Sequence, residues 1–278
     1  MIRALLALAW LCGSAAAAPL SMPYVPQPTA VTCLPAAAAM SLAAQGLPIS
    51  VDGLARSLPV HADGISALDL QDVIAALGGH AWLARGDRAL LHRLLAAGAP
   101  PVLLVSGGQK HAIVVHGQEE GSWAVRDPSR PALTHLTDEE LEALWAPTGY
   151  QVLVVFVRSW TDEALPREVR RSLEAQSRRF RAVEWMLRAR SHGAPTDQAM
   201  SLYDRALAED DALPELHTDV GIAWCRRGDL ERARAHLQRA ADLRPGDRAA
   251  ATNLERLLSG RAACAAGPSG SDFLPPGQ

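Results

Sequence analysis

The sequence predicts an α+β domain followed by an all-helical one. Three observations carry this expectation. A run of helix formers precedes a cluster of short β-rich runs, no regular βαβ alternation interrupts that order, and strand signals stop near Ser159, beyond which charge rises and apolar residues keep helical spacing. A chain of 278 residues is also of a length to form two compact units.

The first helix is expected from Thr32 through CLPAAAAMSLAAQG, with Pro35 inside the first turn and Gly46 as the stop. A second, amphipathic helix spans Ser66 to Leu77, with apolar residues at Leu68, Val73, Ile74 and Leu77 and Gly78-Gly79 after it, and a third spans Arg88 to Ala97. Strand character follows in PVLLV (101–105), HAIVVHG (111–117) and SWAVRD (122–127), separated by Gly-containing turns. A short helix near Thr137 to Leu144 and a strand over Tyr150 to Val157 close this domain.

In the helical half, Gly221, Trp224, Ala233, Leu237, Ala240 and Pro245 fall at the offsets of a 34-residue tetratricopeptide repeat starting near Pro214. One repeat earlier, Ala199, Tyr203 and Ala206 occupy the positions of Ala233, Leu237 and Ala240, and Arg248 to Leu258 fits a partial third unit that caps the stack. Small residues let paired helices approach while Trp224 and Leu237 fill the space between them, and Cys225 beside Trp224 reads as a buried thiol. The arginines from Arg167 to Arg190 read as a solvated face with partners such as Glu174 and Glu184.

The N-terminal stretch has Arg3, an apolar run from Ala4 to Leu11 and an Ala-rich tract, the pattern of a secretory signal cut near Ala17 or Ala18. The apolar part is short for a membrane anchor, which needs about 20 residues. Lipidation at Cys12 is a minor alternative, against which Leu11 stands. The expected domains are a signal peptide over 1–18, the α+β domain over 19–158, the repeat domain over 168–259 and a disordered Gly/Pro/Ala-rich tail over 260–278. The location is thus exported, periplasmic, with no membrane contact beyond the signal.

Composition excludes other classes. A net charge of −3 gives no footprint for nucleic acid, and there is no GxGxxG or GxxxxGK[ST] for a nucleotide. With no HExxH or CxxC, neither a metal nor a cofactor is expected. The cysteines are too few and too irregularly spaced for a disulfide framework, and Cys264 in the tail is either free or bridged.

One cysteine has the setting for chemistry. A thiol attacks carbonyl carbon only as thiolate, and a helix N-terminus or a nearby cation is needed to favour that form. Cys33 opens the first helix. Its partner would be a histidine, from His61, His80, His92, His111, His116 and His135. Strand alternation sends His111 and His116 to opposite faces; His111 shares its face with Ile113 and Val115, and His116 reads as outward-facing. In a hairpin with the next strand, Asp127 can lie beside His111 and hold its tautomer, although a turn former before Pro128 is the simpler use of an Asp there. Gln27, six residues before Cys33, could join the Cys33 backbone N–H as an oxyanion donor, a weak signal taken alone.

Together, VPQPTAVTCLPAAAAM, KHAIVVHG and VRDPS resemble the papain-like double-glycine peptidases that process bacteriocin leaders, and more closely their exported relatives with C-terminal tetratricopeptide repeats. The resemblance covers about Pro23 to Val157. It implies a papain-like cysteine peptidase fold, with Gln27 as oxyanion donor, Cys33 as nucleophile, His111 as base six residues before Gly117, and Asp127 in its DP pair. The family usually has Gly directly after the cysteine, and Leu34 stands there instead, which implies a narrowed site or a changed specificity. The expected function is peptide-bond cleavage through an acyl-enzyme, with the repeats holding a peptide or protein substrate or a partner. The alternatives are a catalytically inactive envelope adaptor and acyl transfer to an amine.

Overall fold

The computed structural model describes residues 19–56, 58–60, 64–157 and 164–259. The expected signal peptide with Cys12, the tail with Cys264, the junction at 158–163 and His61 lie outside the described residues.

In chain order the elements are α1 (Cys33–Ala44), α2 (Val51–Ala55), α3 (Ala67–Ala76), β1 (Gly79–Arg85), α4 (Arg88–Ala96), β2 (Val102–Ser106), β3 (Lys110–Glu119), β4 (Ser122–Arg126), β5 (Thr134–Leu136), α5 (Asp138–Trp145) and β6 (Gln151–Val157). The helices α6 (Arg167–Ser191), α7 (Asp197–Glu209), α8 (Pro214–Arg226), α9 (Leu230–Leu243) and α10 (Arg248–Leu258) follow. The described residues pack into two compact units, those within Met1–Ile65, Gly86–Tyr150 and Val155–Val157 in one, and those within Ser66–Arg85, Gln151–Val154 and Arg158–Gln278 in the other.

In the first unit, α1 is buried on every side from Leu34 to Leu42, so its alanines act as packing surface and not merely as helix formers. Gly46 ends it with φ +84°, a conformation that costs a residue with a Cβ about 1 kcal/mol. Two buried polar side chains tie the helix down. Ser41 Oγ donates to the Pro100 carbonyl at 2.6 Å, and Gln45 donates from Nε2 to the Val155 carbonyl at 2.8 Å while its Oε1 accepts from the Val157 N–H. Strands β2, β3, β4 and β5 lie side by side in that order in this unit. The loop between β3 and β4 is the two residues Glu120 and Gly121, with φ of 48° and 81°, the left-handed pair that suits the twist of a tight hairpin.

The elements α2, β1 and β5 were not expected. Residues of α2 include Gly53, β5 is three residues long, and β1 (GHAWLAR) has no β-branched side chain, so none carries a strong local signal. Another departure is His116, 5 % exposed where an outward-facing residue was expected. A bulge between Val115 and Gly117 breaks the alternation on which that reading rested.

In the second unit, α3 and β1 pack with α6. Gln176 Oε1 accepts from the Arg85 N–H at 3.0 Å, and Ser177 Oγ donates to Gln71 Oε1 at 3.2 Å. Arg181 pairs with Asp72 at 2.7 Å, Arg188 with Asp69 at 3.2 Å and Arg190 with Asp219 at 2.5 Å, so much of the arginine-rich helix binds carboxylates of other elements and is not a simple solvated face. The helices beyond build a core from Ala182, Met186, Ala199, Tyr203, Leu216 and Val220. Gly221 allows α8 and α9 to meet: a Cβ there would lie 2.7 Å from Leu237 Cγ. This all-helical region is compatible with a helical-repeat domain. Trp224 is only half-buried, beneath the Arg232 guanidinium at 4.4 Å. Cys225 is disulfide-bonded, not the free buried thiol expected; its partner lies outside the described residues.

Candidate active site

Cys33 is the first residue of α1, and the N-cap residue Thr32 makes no side-chain cap bond. Thr32 Oγ1 is occupied instead with Thr29, accepting its N–H at 3.0 Å and donating to its carbonyl at 2.9 Å. Cys33 is a free, partly exposed thiol at the positive end of the helix dipole.

The register of the sheet brings the other groups within reach. Val114 on β3 opposes Arg126 on β4, so continuing the antiparallel count by one residue sets Asp127 across from Ile113, on the face that His111 shares. The side chains meet: His111 Nε2 lies 2.7 Å from Asp127 Oδ1. The Cys33 side chain also acts on the ring, raising its pKa, and because Nε2 faces Asp127 the nitrogen left for the thiol is Nδ1. One imidazole therefore holds a carboxylate just past β4 and is influenced by a thiol at the start of α1.

Electrostatics follow the geometry. The hydrogen bond to Asp127, then that to Cys33, raises the His111 pKa from 6.5 to about 9 against the opposing effect of burial. For Asp127 burial alone would raise the value, but hydrogen bonds from His111 and from Ser129 outweigh it and hold the carboxyl at about 2. At neutral pH the ring is thus an imidazolium beside a carboxylate. Among the described residues, no group of three or more His, Cys, Asp or Glu side chains is placed to hold a metal ion.

Gln27 sits on the segment leading into α1. Its backbone N–H donates to the Pro128 carbonyl at 2.9 Å, next to Asp127, and its Nε2 donates to the Thr29 carbonyl at 3.1 Å. A second N–H on Nε2 remains. Gln27 Oε1 is buried without a hydrogen-bond partner among the described residues. Leu34 is 4 % exposed, so its side chain is packed inside the protein and does not stand in solvent at the mouth of the site.

Three other candidate histidines have partners of their own. His80 stacks on Trp82, His92 tilts against Trp123, and His135 pairs with Glu119 at 2.9 Å. Ser129, missed from the sequence, binds Asp127 Oδ1 twice, through its N–H at 2.8 Å and its hydroxyl at 2.7 Å. The D-P-S spacing that makes this turn was visible, since Asp commonly accepts from the N–H two residues on. Tyr24, also missed, donates its hydroxyl to the Pro128 carbonyl at 3.0 Å, a contact across 104 residues that no local pattern announces.

A buried helix bearing a thiol at its start, laid on an antiparallel sheet that bears an imidazole, defines a papain-like fold. Residues 21–158 match the Peptidase C39 family, and this domain belongs to it. Similar solved structures include a double glycine motif protease from an AMS/PCAT transporter in complex with the leader peptide (19 % identity, covering 50 % of this chain and 94 % of that one, TM-score 0.42). Others are the peptidase domain of Streptococcus ComA, a bi-functional ABC transporter involved in quorum sensing (20 %, 49 % and 98 %, TM-score 0.41), and a C39-like peptidase from Bacillus anthracis (17 %, 48 % and 93 %, TM-score 0.41). No curated protein matches the chain.

Proposed function

We propose that this protein is an exported cysteine peptidase that cleaves peptide bonds through Cys33. The Cys33 thiolate attacks the scissile carbonyl, forming an S–C bond and an oxyanion. The His111 imidazolium then gives its proton to the leaving amine as the C–N bond breaks. Water attacks the resulting thioester, His111 takes the proton of that water, and the thiol is released with the acid product. Gln27 Nε2 and the Cys33 backbone N–H donate to the oxyanion, and Asp127 holds the ring so that Nδ1 faces the sulfur. The observation that carries this reading is the 2.7 Å contact of His111 with Asp127, on a ring whose pKa the Cys33 thiol also raises.

Membership of the C39 family makes a peptide or protein the natural substrate. The helices from α6 onward, with repeat spacing in their sequence, would hold that substrate or a partner on a concave surface. The signal-like N-terminus and the Cys225 disulfide both favour an oxidising compartment outside the cytoplasm.

A second reading, an adaptor without turnover, draws on the Gln27 Nε2 bond to Thr29, which occupies one of the two amide hydrogens. One experiment separates the readings: labelling of the purified protein by an epoxysuccinyl inhibitor near pH 6, read by mass spectrometry. Labelling confined to Cys33 and lost in His111→Ala supports the peptidase. A folded wild type that takes no label overturns it and leaves the adaptor.

A further inference from the structure

We infer that residues 19–27 form a strap that sets the position of Gln27, with Tyr24 as its positioning residue; the inference rests on the peptidase reading of the site.

The strap is held at two stations. At the first, the Leu20 N–H donates to the His116 carbonyl at 2.7 Å and His116 Nδ1 donates to the Leu20 carbonyl at 3.1 Å. Burial lowers the His116 pKa, so the ring is neutral and one nitrogen carries the hydrogen this bond needs. Gly117 makes the close approach possible, since a Cβ there would lie 2.4 Å from Pro19 Cα, a distance no side chain tolerates. The glycine six residues after His111 therefore serves the strap and not a turn. Between the stations Met22 is buried.

At the second station two donors converge on one acceptor. The Tyr24 hydroxyl at 3.0 Å and the Gln27 N–H at 2.9 Å both reach the Pro128 carbonyl. Pro128 directly follows Asp127, whose carboxylate fixes His111. The carbonyl thus joins the segment bearing the oxyanion donor to the segment bearing the base. Gln27 has little else to fix it: its own side-chain bond goes only two residues along, to Thr29, and its Oε1 is unpartnered among the described residues. A side-chain amide useful to an oxyanion must be held within a fraction of an ångström, and here the strap supplies that restraint.

The test compares two reactions of Cys33 that differ in their need for an oxyanion donor. With p-nitrophenyl acetate, the thiolate forms an S–C bond to the acetyl carbon through an oxyanion, and the C–O bond breaks to release p-nitrophenolate. With iodoacetamide, the thiolate displaces iodide from a methylene carbon and no oxyanion forms. Both rates are measured for wild type, Gln27→Ala, Tyr24→Phe and Gly117→Ala, with melting curves to verify folding; Tyr24→Phe keeps the ring and removes only the hydroxyl.

Gln27→Ala should lower acylation about a hundredfold and Tyr24→Phe about fivefold to tenfold, with alkylation unchanged in both. Gly117→Ala, acting from the far station, should show the same selective loss. An effect of Gln27→Ala without one of Tyr24→Phe overturns the role of Tyr24 and leaves the peptidase reading intact. Equal loss of both reactions in Tyr24→Phe also overturns it, since the strap would then support the thiol itself. A wild-type Cys33 unreactive to both reagents sinks the peptidase reading, and the inference with it.

Discussion

Asp127 sets the protonation of His111, because its hydrogen bond is the largest influence on that ring. The raised His111 pKa favours the folded state fully below 6.5, and that contribution is lost as pH rises through about 9. The depressed Asp127 pKa acts in the opposite sense: its contribution is present above 3.8 and lost as pH falls through about 2. Both favour folding fully between those inner limits. In the proposed mechanism turnover needs His111 protonated to expel the leaving amine, so activity against a cleaved peptide should fall on the alkaline side near pH 9. In Asp127→Asn that limb should move down toward 6.5, with the rate at neutral pH reduced about a hundredfold or more. A pH–rate profile of both proteins checks this; an unmoved limb would remove His111 as the group that titrates. Ser129 is the less visible member of the same assembly, since its two hydrogen bonds keep Asp127 ionised and aimed.

Among the elements, α1 and the β3–β4 hairpin bring the candidate residues together, and each is defined by close fit. The start of α1 is free of a side-chain cap, so its first N–H groups face whatever charge develops at Cys33. The β3–β4 turn fixes the register that sets Asp127 near His111. The helical region depends on close fit in another way, at the crossing of α8 and α9. A methyl at Gly221 would press on Leu237 at 2.7 Å and on the Ala233 carbonyl at 3.2 Å. Gly221→Ala should therefore cost about 1–3 kcal/mol, measured by urea denaturation of the full chain followed through its helical signal. A neutral or stabilising result would mean that the two helices separate readily, contrary to the packing of Leu237 as a fully buried side chain.

Across the whole molecule, composition and packing draw different lines. The change in composition near Ser159 suggests cutting the chain between 158 and 168. Packing assigns Ser66–Arg85 to the same unit as α6, through Gln176, Ser177, Arg181 and Arg188. A chain ending at residue 158 would leave Gln71 and the Arg85 N–H without those partners. Such a truncation should melt well below the full-length protein and expose the apolar face of α3, read by calorimetry and dye binding. Equal melting of the same transition would show that Ser66–Arg85 does not depend on α6.

Much of this protein is written in local order. The helix starting at Cys33, the β-rich runs that follow and the later helices can be read from periodicity and stop residues, because a period of 2 or 3.6 is a property of a short window. The chemical identities of Gln27, Cys33, His111 and Asp127 are legible in the same way, from their motifs. Their geometry is not. The burial of His116, the strap on Gly117, the convergence of Tyr24 and Gln27 on Pro128 and the pairing of α3 with α6 join residues about 90 to 120 positions apart. Such contacts depend on which faces the folded chain brings together, and no local window contains both partners.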